Sequence, residues 1–518
     1  MTIETLGSAK TQWIATPGST GASPVAPSLT VNGNAFFAQG VCYQPIPWGA
    51  SANWPPFGNF MSSPWHEIWE RDLPIMRNGG VNLLRTYNMP CEQQGVEYDH
   101  TDFLNACWNK GNNPIYVLLG FGDLNNLAIY DPWKSNAAAR TSAEKVFLKT
   151  VEKYKDFPAV MGFIIANEVN TSDTIANSEF WKWLNKLCIQ AKENAPDKIT
   201  VMSLVDDSMN SVTMCGKQMP DLDVWGINSY RGQINPANAN NFDNLWSSFH
   251  SVSNKPLLIT EWGAPASTHD VSGALSFSET VANDLNTYIT GHYLDFVWNA
   301  VSTTTNGSGA NPNSANWAPV CIGSCYFEWS DELWKLDATS GKTCQATVQN
   351  AGISQNAAFP GGWDDEECFG LNSITPVKSD NTSPADRPGP NSSACKGGPW
   401  NFALGQPYAA DVLTPRPSWA TLSSLFGLAM EGSIVDAFGS AGNWQATFYV
   451  GSPIPVGIVT GMHVIGTGIP VGTTVSPNTF PSDGEPLVTM SIVMINNNTE
   501  SSNPFIVSST PFQLNFVS

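Results

Sequence analysis

The chain has 518 residues, which is long enough for one large enzyme domain and an appendage around a sizeable core. Its 24 basic and 44 acidic residues leave a net charge of −20, which argues against nucleic acid or an anionic membrane surface as a partner. Only 13% of the residues are charged and 20 are Trp, so an uncharged partner is favoured, although most individual Trp side chains are expected in the core.

The first 29 residues are rich in Thr, Ser, Gly, Ala and Pro, and we expect an extended N-terminal lead-in. They contain neither the basic region nor the apolar run of a secretory signal peptide. An uninterrupted run of about 18 apolar residues is also missing, so no membrane insertion is expected.

From residue 30 onwards, apolar strand candidates alternate with helix-like stretches. We predict eight strands, at 37–43, 81–87, 114–120, 160–166, 199–204, 224–229, 256–260 and 320–327. The predicted helices between them include 64–78, 143–155, 178–194 and 278–291. This order is typical of an α/β protein with a (β/α)8 TIM barrel. An open doubly wound sheet lacks support, because no Gly-rich dinucleotide loop follows the first strand.

A long irregular insertion near 336–410 follows the eighth strand, before a helix candidate at 417–425 that could close the barrel. Insertions after barrel strands lie at the catalytic mouth, so this one could wall or cap a cleft. Five of the ten cysteines fall between 321 and 395, and we expect some disulfides there. Cys42 and Cys188 could equally be buried free thiols. Disulfides would imply an oxidising compartment, so we expect an extracellular or surface-associated protein, despite the lack of a recognisable signal peptide.

The composition changes beyond about residue 431, where Lys and Arg no longer occur. Short β-branched runs at 445–450, 457–465, 473–475, 487–495, 505–508 and 512–516 predict a separate C-terminal all-β domain, either a sandwich or a small barrel. The predicted organisation is therefore a lead-in at 1–29, a barrel at 30–430 and a β-domain at 431–518. Self-association through the strand edges of this last domain is one role that it could have.

Two of the predicted barrel strands end in a glutamate. Glu168 follows Asn167 at the end of the fourth strand, and Glu261 ends the seventh. Because the carboxyl ends of barrel strands point into one mouth, the two carboxylates can face each other there. Cleavage of a glycosidic bond with retention needs such a pair, about 5 to 5.5 Å apart, and an amide such as that of Asn167 could hold a sugar hydroxyl. This chemistry requires no cofactor and no metal, and the cysteines lack the paired spacing of a zinc site.

These residues stand in stretches that resemble glycoside hydrolase clan A and, within it, the β-1,3-glucanosyltransferase family of fungal cell walls. The stretches are 31–44, 71–87 and 157–170, and the resemblance covers roughly 30–335. It implies that Glu168 is the acid/base and Glu261 the nucleophile. Trp262 departs from the family pattern, in which a Tyr commonly follows the nucleophile.

Other candidate residues surround this pair. Arg85, at the end of the second strand, could keep Glu261 ionised, and Tyr230 could donate a hydrogen bond to the same carboxylate. A structural salt bridge and a core phenol are the alternatives for these two. Glu328 could be a third carboxylate in the cleft, with a substrate-binding or structural role. Residues at strand ends or in mouth loops could contact sugars, namely Tyr43, Trp48, Tyr87, Asn88 and Trp329.

The sequence therefore predicts a retaining β-glycoside hydrolase or transglycosylase that acts on a neutral polysaccharide of the β-glucan or β-mannan class. Hydrolysis and transfer share one covalent intermediate and differ in whether water or a sugar hydroxyl accepts the glycosyl group. The alternative is a structural or adhesive surface, filament or virion protein that uses the barrel for glycan binding or assembly. The presence of both glutamates favours the enzyme.

Overall fold

A computed structural model describes most of the first 427 residues and the strands that follow. The described residues are 10–19, 26–47, 50, 52, 56–122, 136–231, 242–269, 275–298, 320–333, 359–360, 365–375 and 410–427, with the backbone of 429–440, 443–449, 463–466, 474–475, 491–496 and 512–517. Trp48, most of the predicted insertion at 336–410 and the predicted strand at 505–508 lie outside them.

Strands and helices are numbered along the chain. The strands are β1 (Trp13–Thr16), β2 (Ser28–Val31), β3 (Asn34–Ala35), β4 (Ala38–Cys42), β5 (Leu83–Arg85), β6 (Glu92–Gln93), β7 (Val96–Glu97), β8 (Tyr116–Leu119), β9 (Val160–Asn167), β10 (Ile199–Val205), β11 (Val224–Asn228), β12 (Leu257–Trp262), β13 (Thr268–His269), β14 (Leu275–Ser276), β15 (Cys321–Tyr326), β16 (Asn372–Thr375), β17 (Val412–Pro415), β18 (Ala429–Ser440), β19 (Asn443–Tyr449), β20 (His463–Gly466), β21 (Thr474–Val475), β22 (Ser491–Asn496) and β23 (Phe512–Val517). The helices are α1 (His66–Asn78), α2 (Thr101–Trp108), α3 (Ala137–Tyr154), α4 (Ser178–Asn194), α5 (Asn210–Cys215), α6 (Asp243–Val252), α7 (Glu279–Trp298) and α8 (Pro417–Gly427), with short 3-10 turns at Ser63–Trp65, Asn109–Gly111, Gly216–Gln218 and Glu366–Cys368.

Eight of these strands form a closed parallel barrel, which confirms the predicted (β/α)8 fold. Around the barrel they follow in chain order as β4, β5, β8, β9, β10, β11, β12 and β15, and β15 pairs with β4 to close it. Their residues are almost all buried, as expected for strands that have side chains packed inside the barrel and helices outside. The carboxyl ends of all eight strands therefore open on one face, where a site is expected.

The described helices begin and end close to the predicted positions, with differences that local contacts explain. Helix α4 agrees with the prediction at both ends. Helix α3 begins at Ala137 rather than at 143, because the side chain of Asn136 accepts a hydrogen bond from the backbone N–H of Ala139 at 2.9 Å. Within the described residues, no helix has the length and apolar character needed to cross a membrane.

Part of the predicted lead-in forms an ordered sheet at the amino ends of the barrel strands. Strands β1, β2 and β3 pair in antiparallel fashion, and the backbone N–H of Trp13 donates to the carbonyl of Asp197, just before β10. Trp13 is buried and meets the rings of Phe36 and Tyr116 edge-on, with centroids 4.8 and 4.7 Å away. The sheet therefore covers the end of the barrel opposite to the expected site.

The C-terminal part forms a second closed barrel. A small barrel was one of the two arrangements predicted for this region, the other being a sandwich. Its six antiparallel strands follow the order β18, β19, β22, β21, β20 and β23, and β23 pairs back with β18. Strand β18 was not predicted and begins at Ala429, just before the predicted boundary at 431. Because every one of these strands is paired on both sides, closure gives no support to self-association through strand edges.

Of the five cysteines in the stretch expected to contain disulfides, the three that the structure describes, Cys321, Cys325 and Cys368, form none. All eight described cysteines are buried free thiols, namely Cys42, Cys91, Cys107, Cys188, Cys215, Cys321, Cys325 and Cys368. Cys321 and Cys325 are packed in the core of the barrel on β15, and burial raises the pKa of the Cys325 thiol to about 12. Only Cys344 and Cys395, which lie outside the described residues, are left as candidates for the predicted pairing. The argument for an oxidising compartment is weaker as a result.

Closure of the first barrel depends on a glycine in β15. Between its pairs with Leu257 and Ile259, β15 advances from Cys321 to Ser324 and thus contains one extra residue. Gly323 lies at this irregularity with a φ of 129°, a backbone conformation that only glycine adopts readily. A Cβ at this position would collide with the backbone N and O of the neighbouring strand β4.

Replacing Gly323 by Ala is therefore expected to lower the free energy of unfolding by about 3 kcal/mol or more, through backbone strain and the collision with β4. Gly291→Ala is the matched control, because Gly291 is helical and exposed and its added Cβ would meet none of the described atoms within 4 Å. That change is expected to stabilise the protein by about 0.5–1 kcal/mol. Urea denaturation measures both, and equal effects for the two variants would contradict the role of Gly323.

Candidate active site

Glu261 lies near the carboxyl end of β12 and is 5% exposed. Three donors surround its carboxylate. The phenol of Tyr87 donates to Oε1 at 2.8 Å and that of Tyr230 donates to Oε2 at 2.7 Å, while Nη1 of Arg85 lies 2.8 Å from Oε1. Such an arrangement stabilises an ionised carboxylate, which is the form that can attack as a nucleophile.

The two strongest of these donors keep their protons. Burial works against the charge of the Arg85 guanidinium and is the largest single influence on it, but the charge and hydrogen bond of Glu261, together with Cys42 and Cys325, raise the pKa of Arg85 overall. Burial, together with the charge of Glu261, also raises the pKa of Tyr230 well above its usual range. Both shifts favour the charged form of Arg85 and the neutral, hydrogen-bond-donating form of Tyr230.

Glu168 follows β9 directly and has a φ of 54°, in the left-handed region. Nδ2 of Asn228 donates to its Oε1 at 2.8 Å. Burial and the negative charge of Glu261 raise the pKa of Glu168 to about 7, although Asn228 and Arg85 act in the opposite direction. Near neutral pH both protonation states of Glu168 are populated, which suits a group that gives and takes a proton.

Asn228, at the end of β11, is a site residue that the sequence reasoning did not single out. Its Oδ1 accepts hydrogen bonds from the hydroxyls of Ser203 at 2.7 Å and Thr260 at 2.8 Å. Because both bonds fix the oxygen of the amide, its Nδ2 is directed at Glu168. Its place at the carboxyl end of a barrel strand was the one signal in the sequence that could have identified it.

Asn167 connects the two carboxylates. Its Oδ1 accepts one hydrogen bond from Nη2 of Arg85 and another from Nδ2 of Asn228, at 3.1 Å for the latter. A continuous series of contacts therefore runs from Glu261 through Arg85, Asn167 and Asn228 to Glu168. Because Oδ1 of Asn167 accepts from these two donors, a contact to a sugar hydroxyl would fall to its amide nitrogen.

One extra residue in each of the strands β9 and β12 determines the direction in which the side chains of the site point. Strand β9 advances three residues, from Ile164 to Asn167, while its partner β10 advances two. Strand β12 advances two residues, from Ile259 to Glu261, while β11 advances one. Side chains of a regular strand alternate between its two faces, so neighbouring residues cannot both point inwards. The bulge in β12 lets Thr260 and Glu261 both reach partners inside the barrel.

Aromatic rings fix the two tyrosines that bind Glu261. Phe327 is buried and meets the rings of Tyr87 and Tyr230 edge-on, with centroid distances of 6.3 and 6.1 Å. Phe369, which lies within the predicted insertion at 336–410, packs against Tyr230, with ring centroids 5.7 Å apart. Packing of this kind limits how far the phenols can move and hence keeps their hydrogen bonds to Glu261 in place.

Two of the predicted sugar contacts lie elsewhere. Tyr43 is fully buried, with its phenol donating to Asp72 of α1 at 3.1 Å and its ring stacked on Phe103 of α2. Asn88 is 5% exposed and donates to the carbonyl of Phe57 at 2.7 Å, within the loops. Both polar groups are engaged by the protein itself, so neither residue joins the glutamate pair.

Trp329 and Glu328 are also buried rather than open to the cleft. Trp329 is 1% exposed and meets Trp419 of α8 edge-on, with centroids 5.0 Å apart. Glu328 is 1% exposed, and its carbonyl accepts a hydrogen bond from the backbone of Leu371 at 2.8 Å. These positions correct the expected sugar contact of Trp329 and favour the structural alternative for Glu328. Trp48 lies outside the described residues.

Comparison with known proteins identifies relatives of this arrangement. Residues 27–286 match the family model described as Glucanosyltransferase, and this range includes Glu168 and Glu261 but ends before β15. The 1,3-beta-glucanosyltransferase gas5 of Schizosaccharomyces pombe is 27% identical over 277 residues, which are 49% of this chain and 49% of that protein. The 1,3-beta-glucanosyltransferase GAS5 of Saccharomyces cerevisiae is 27% identical over 232 residues, 39% of this chain and 42% of that protein. The chain thus spans about half the length or less of these two relatives.

Among solved structures, the β-glucuronidase of Faecalibacterium prausnitzii is similar, with a TM-score of 0.45 and 15% sequence identity. The similarity covers 77% of this chain and 50% of that protein.

Arg85→Met is expected to lower the free energy of unfolding by about 3–5 kcal/mol, because it leaves the buried Glu261 carboxylate without its cation. The same change in a Glu261→Gln background should cost less, since no charge is then left uncompensated. Lys186→Met is the control: Lys186 forms an exposed pair with Glu144, and its loss should cost about 0–1 kcal/mol. Urea denaturation measures these values, and an equal cost of Arg85→Met in both backgrounds would contradict the coupling of the pair.

Proposed function

We propose, from the premise that this chain belongs to the glucanosyltransferase family, that it is a retaining transglycosylase acting on β-1,3-glucan. The observation that carries the proposal is the contrast between the two carboxylates. Three donors surround Glu261, whereas the pKa of Glu168 is raised to about 7. Double displacement at a glycosidic bond requires one carboxylate that attacks and one carboxyl group that gives a proton.

The substrate is proposed from the relatives, whose names give 1,3-β-glucan transfer as their activity. They favour a β-glucan over a β-mannan. A neutral polymer also agrees with a chain whose net charge is −20, because anionic polysaccharides would be repelled. Since a polysaccharide does not diffuse across membranes, we propose that the protein acts outside the cell or at a surface.

In the first step, the carboxylate of Glu261 attacks the anomeric carbon of a glucosyl unit while Glu168 gives its proton to the glycosidic oxygen. The bond between the anomeric carbon and that oxygen breaks, an ester to Glu261 forms, and the leaving sugar departs with a free hydroxyl. With Asn228 donating to Oε1 of Glu168, the transferred proton is assigned to Oε2. The amide nitrogen of Asn167 is proposed to bind the hydroxyl beside the reacting carbon.

In the second step, Glu168 is a carboxylate and acts as a base. It removes the proton from a hydroxyl of an incoming sugar, whose oxygen attacks the anomeric carbon and displaces Glu261. Two inversions give net retention, and the new bond is again β. Water in place of the sugar gives hydrolysis by the same route, so the acceptor alone separates the two outcomes.

The roles of the two glutamates can be separated with azide. Glu168→Ala is expected to lower kcat on laminari-oligosaccharides by about 10²–10⁴-fold, because the leaving sugar receives no proton. On an aryl β-laminaribioside whose phenolate leaves without a proton, azide should restore turnover of this variant with a β-glycosyl azide as product, because azide needs no general base. Glu261→Ala with azide should instead give the α-glycosyl azide, because a single displacement inverts the anomeric centre. NMR of the products distinguishes the anomers.

Glu193→Gln is the control for these variants, since Glu193 is exposed on α4 and its loss removes one negative charge without reaching the site. Wild-type protein and this control should both give products longer than the oligosaccharides supplied, read by mass spectrometry. Wild-type protein that gives neither longer nor shorter products would refute the proposed activity.

The fall of kcat/KM at alkaline pH should report the deprotonation of Glu168. The pKa of Glu168, about 7, lies above the usual range of a carboxyl group. Glu168 therefore loses its proton as the pH rises through about 7. Since the reaction needs the acid form, kcat/KM on a laminari-oligosaccharide should fall over the same range. The hydrogen bond from Asn228 lowers the pKa of Glu168, so Asn228→Ala should move this fall to higher pH. A profile that moves to lower pH in that variant would contradict the assignment of the acid.

A further inference from the structure

One carboxylate is bonded to both chain neighbours of Tyr230, a tyrosine that binds Glu261. Asp206 follows β10 directly, and its Oδ2 accepts a hydrogen bond from the hydroxyl of Ser229 at 2.6 Å. Arg231 donates to the same carboxylate twice, through Nε to Oδ2 and through Nη2 to Oδ1 at 2.8 Å. Asp206 therefore connects the end of β10 to the segment that follows β11.

These contacts are largely shielded from water. Ser229 is fully buried, and the side chains of Asp206 and Arg231 are only 10% and 17% exposed. The guanidinium binds the carboxylate through two nitrogens, and such a pair fixes direction as well as distance. Because solvent screens a buried pair less than an exposed one, its loss should affect the backbone on either side of Tyr230.

Further contacts hold the same segment after β11. The backbone N–H of Ser229 donates to the carbonyl of Glu261 at 2.8 Å, and the hydroxyl of Tyr288 on α7 donates to the carbonyl of Arg231 at 3.3 Å. The side chain of Tyr230 turns about two bonds only, and phenylalanine rings pack against it. The place of its hydroxyl is therefore set largely by the backbone of this segment.

We propose that Asp206 is a positioning residue for the nucleophile. It holds the backbone on both sides of Tyr230, so that the phenol stays at hydrogen-bond distance from Oε2 of Glu261 and orients this carboxylate for attack on the anomeric carbon. The inference rests on the proposed function, in which Glu261 is the nucleophile. Asp206 forms no contact with the substrate in this role and acts through Tyr230.

A pair of backgrounds separates this role from a general one. Tyr230→Phe removes the phenol hydroxyl and is expected to lower kcat/KM on a laminari-oligosaccharide by about 10–100-fold. Asp206→Asn replaces an acceptor oxygen by an NH2 group and should lower kcat/KM about tenfold. In the Tyr230→Phe background the same change should cost less than about twofold, because the hydroxyl that it positions is absent. Equal factors in the two backgrounds would overturn the inference.

Asp223→Asn is the matched control. Asp223 accepts hydrogen bonds from Lys192 at 2.6 Å and from the backbone N–H and the hydroxyl of Thr200, both at 2.9 Å, and its side chain is 16% exposed. It lies just before β11, at the end of the barrel opposite to the site. The control should lower the melting temperature but leave kcat/KM close to wild type. Losses of kcat/KM that follow the melting temperature in both variants would overturn the inference.

A second measurement does not depend on activity. The Cζ carbon of Tyr230 responds to the hydrogen bond of its hydroxyl, and in tyrosine-labelled protein its 13C signal is assigned by its loss in Tyr230→Phe. The signal should move in Asp206→Asn, or in Ser229→Ala if the first variant does not fold, and stay in place in Asp223→Asn. An unmoved signal, or an equal change in the control, would overturn the inference. Wild-type protein without transfer or hydrolysis would refute the proposed function instead, and the signal would still decide the role of Asp206.

Discussion

The contacts that join Glu261 to Glu168 are the constraint on which the rest of the site depends. Arg85 pairs with Glu261 and also donates to Asn167, and Asn228 donates to both Asn167 and Glu168. Burial, together with the negative charge of Glu261, raises the pKa of Glu168. The guanidinium of Arg85 and the phenols of Tyr87 and Tyr230 contact Glu261, whereas Glu168 accepts a hydrogen bond from the amide of Asn228. The proposed division of roles between nucleophile and acid rests on this asymmetry.

The barrel strands bring the site residues to one face, and the bulges in these strands determine the direction in which their side chains point. Parallel strands bring Arg85, Asn167, Asn228 and Glu261 to one face, although they are far apart in sequence. A regular pleat would nevertheless turn one of each pair of neighbouring residues towards the helices. The bulges in β9 and β12 remove that restriction just before the two glutamates. The cost is local: Glu168 adopts a positive φ, which the surrounding hydrogen bonds must stabilise.

The sequence predicted the barrel and the location of both glutamates well, because apolar runs alternate with helical periodicity and each of the two strands ends in a carboxylate. It could not predict which neighbouring residues turn inwards. Tyr43 and Trp329 stand at strand ends but pack against helices, since the direction of a side chain depends on register and bulges that no local pattern encodes. Asn228 was missed for a related reason, because its role depends on hydroxyls supplied by two other strands. The disulfides were inferred from cysteine density, which does not report whether two thiols meet.

A covalent intermediate on Glu261 is the most direct consequence of the proposed double displacement. Incubation with a 2-deoxy-2-fluoro-β-laminaribiosyl fluoride, digestion and peptide mass spectrometry would locate any trapped glycosyl group. The fluorine slows both steps, but the fluoride leaves without a proton, so the ester should accumulate. The expected result is one added disaccharide on the peptide that contains Glu261, absent in Glu261→Gln. A label on a different residue, or reaction with inversion and no label, would contradict the proposed double displacement.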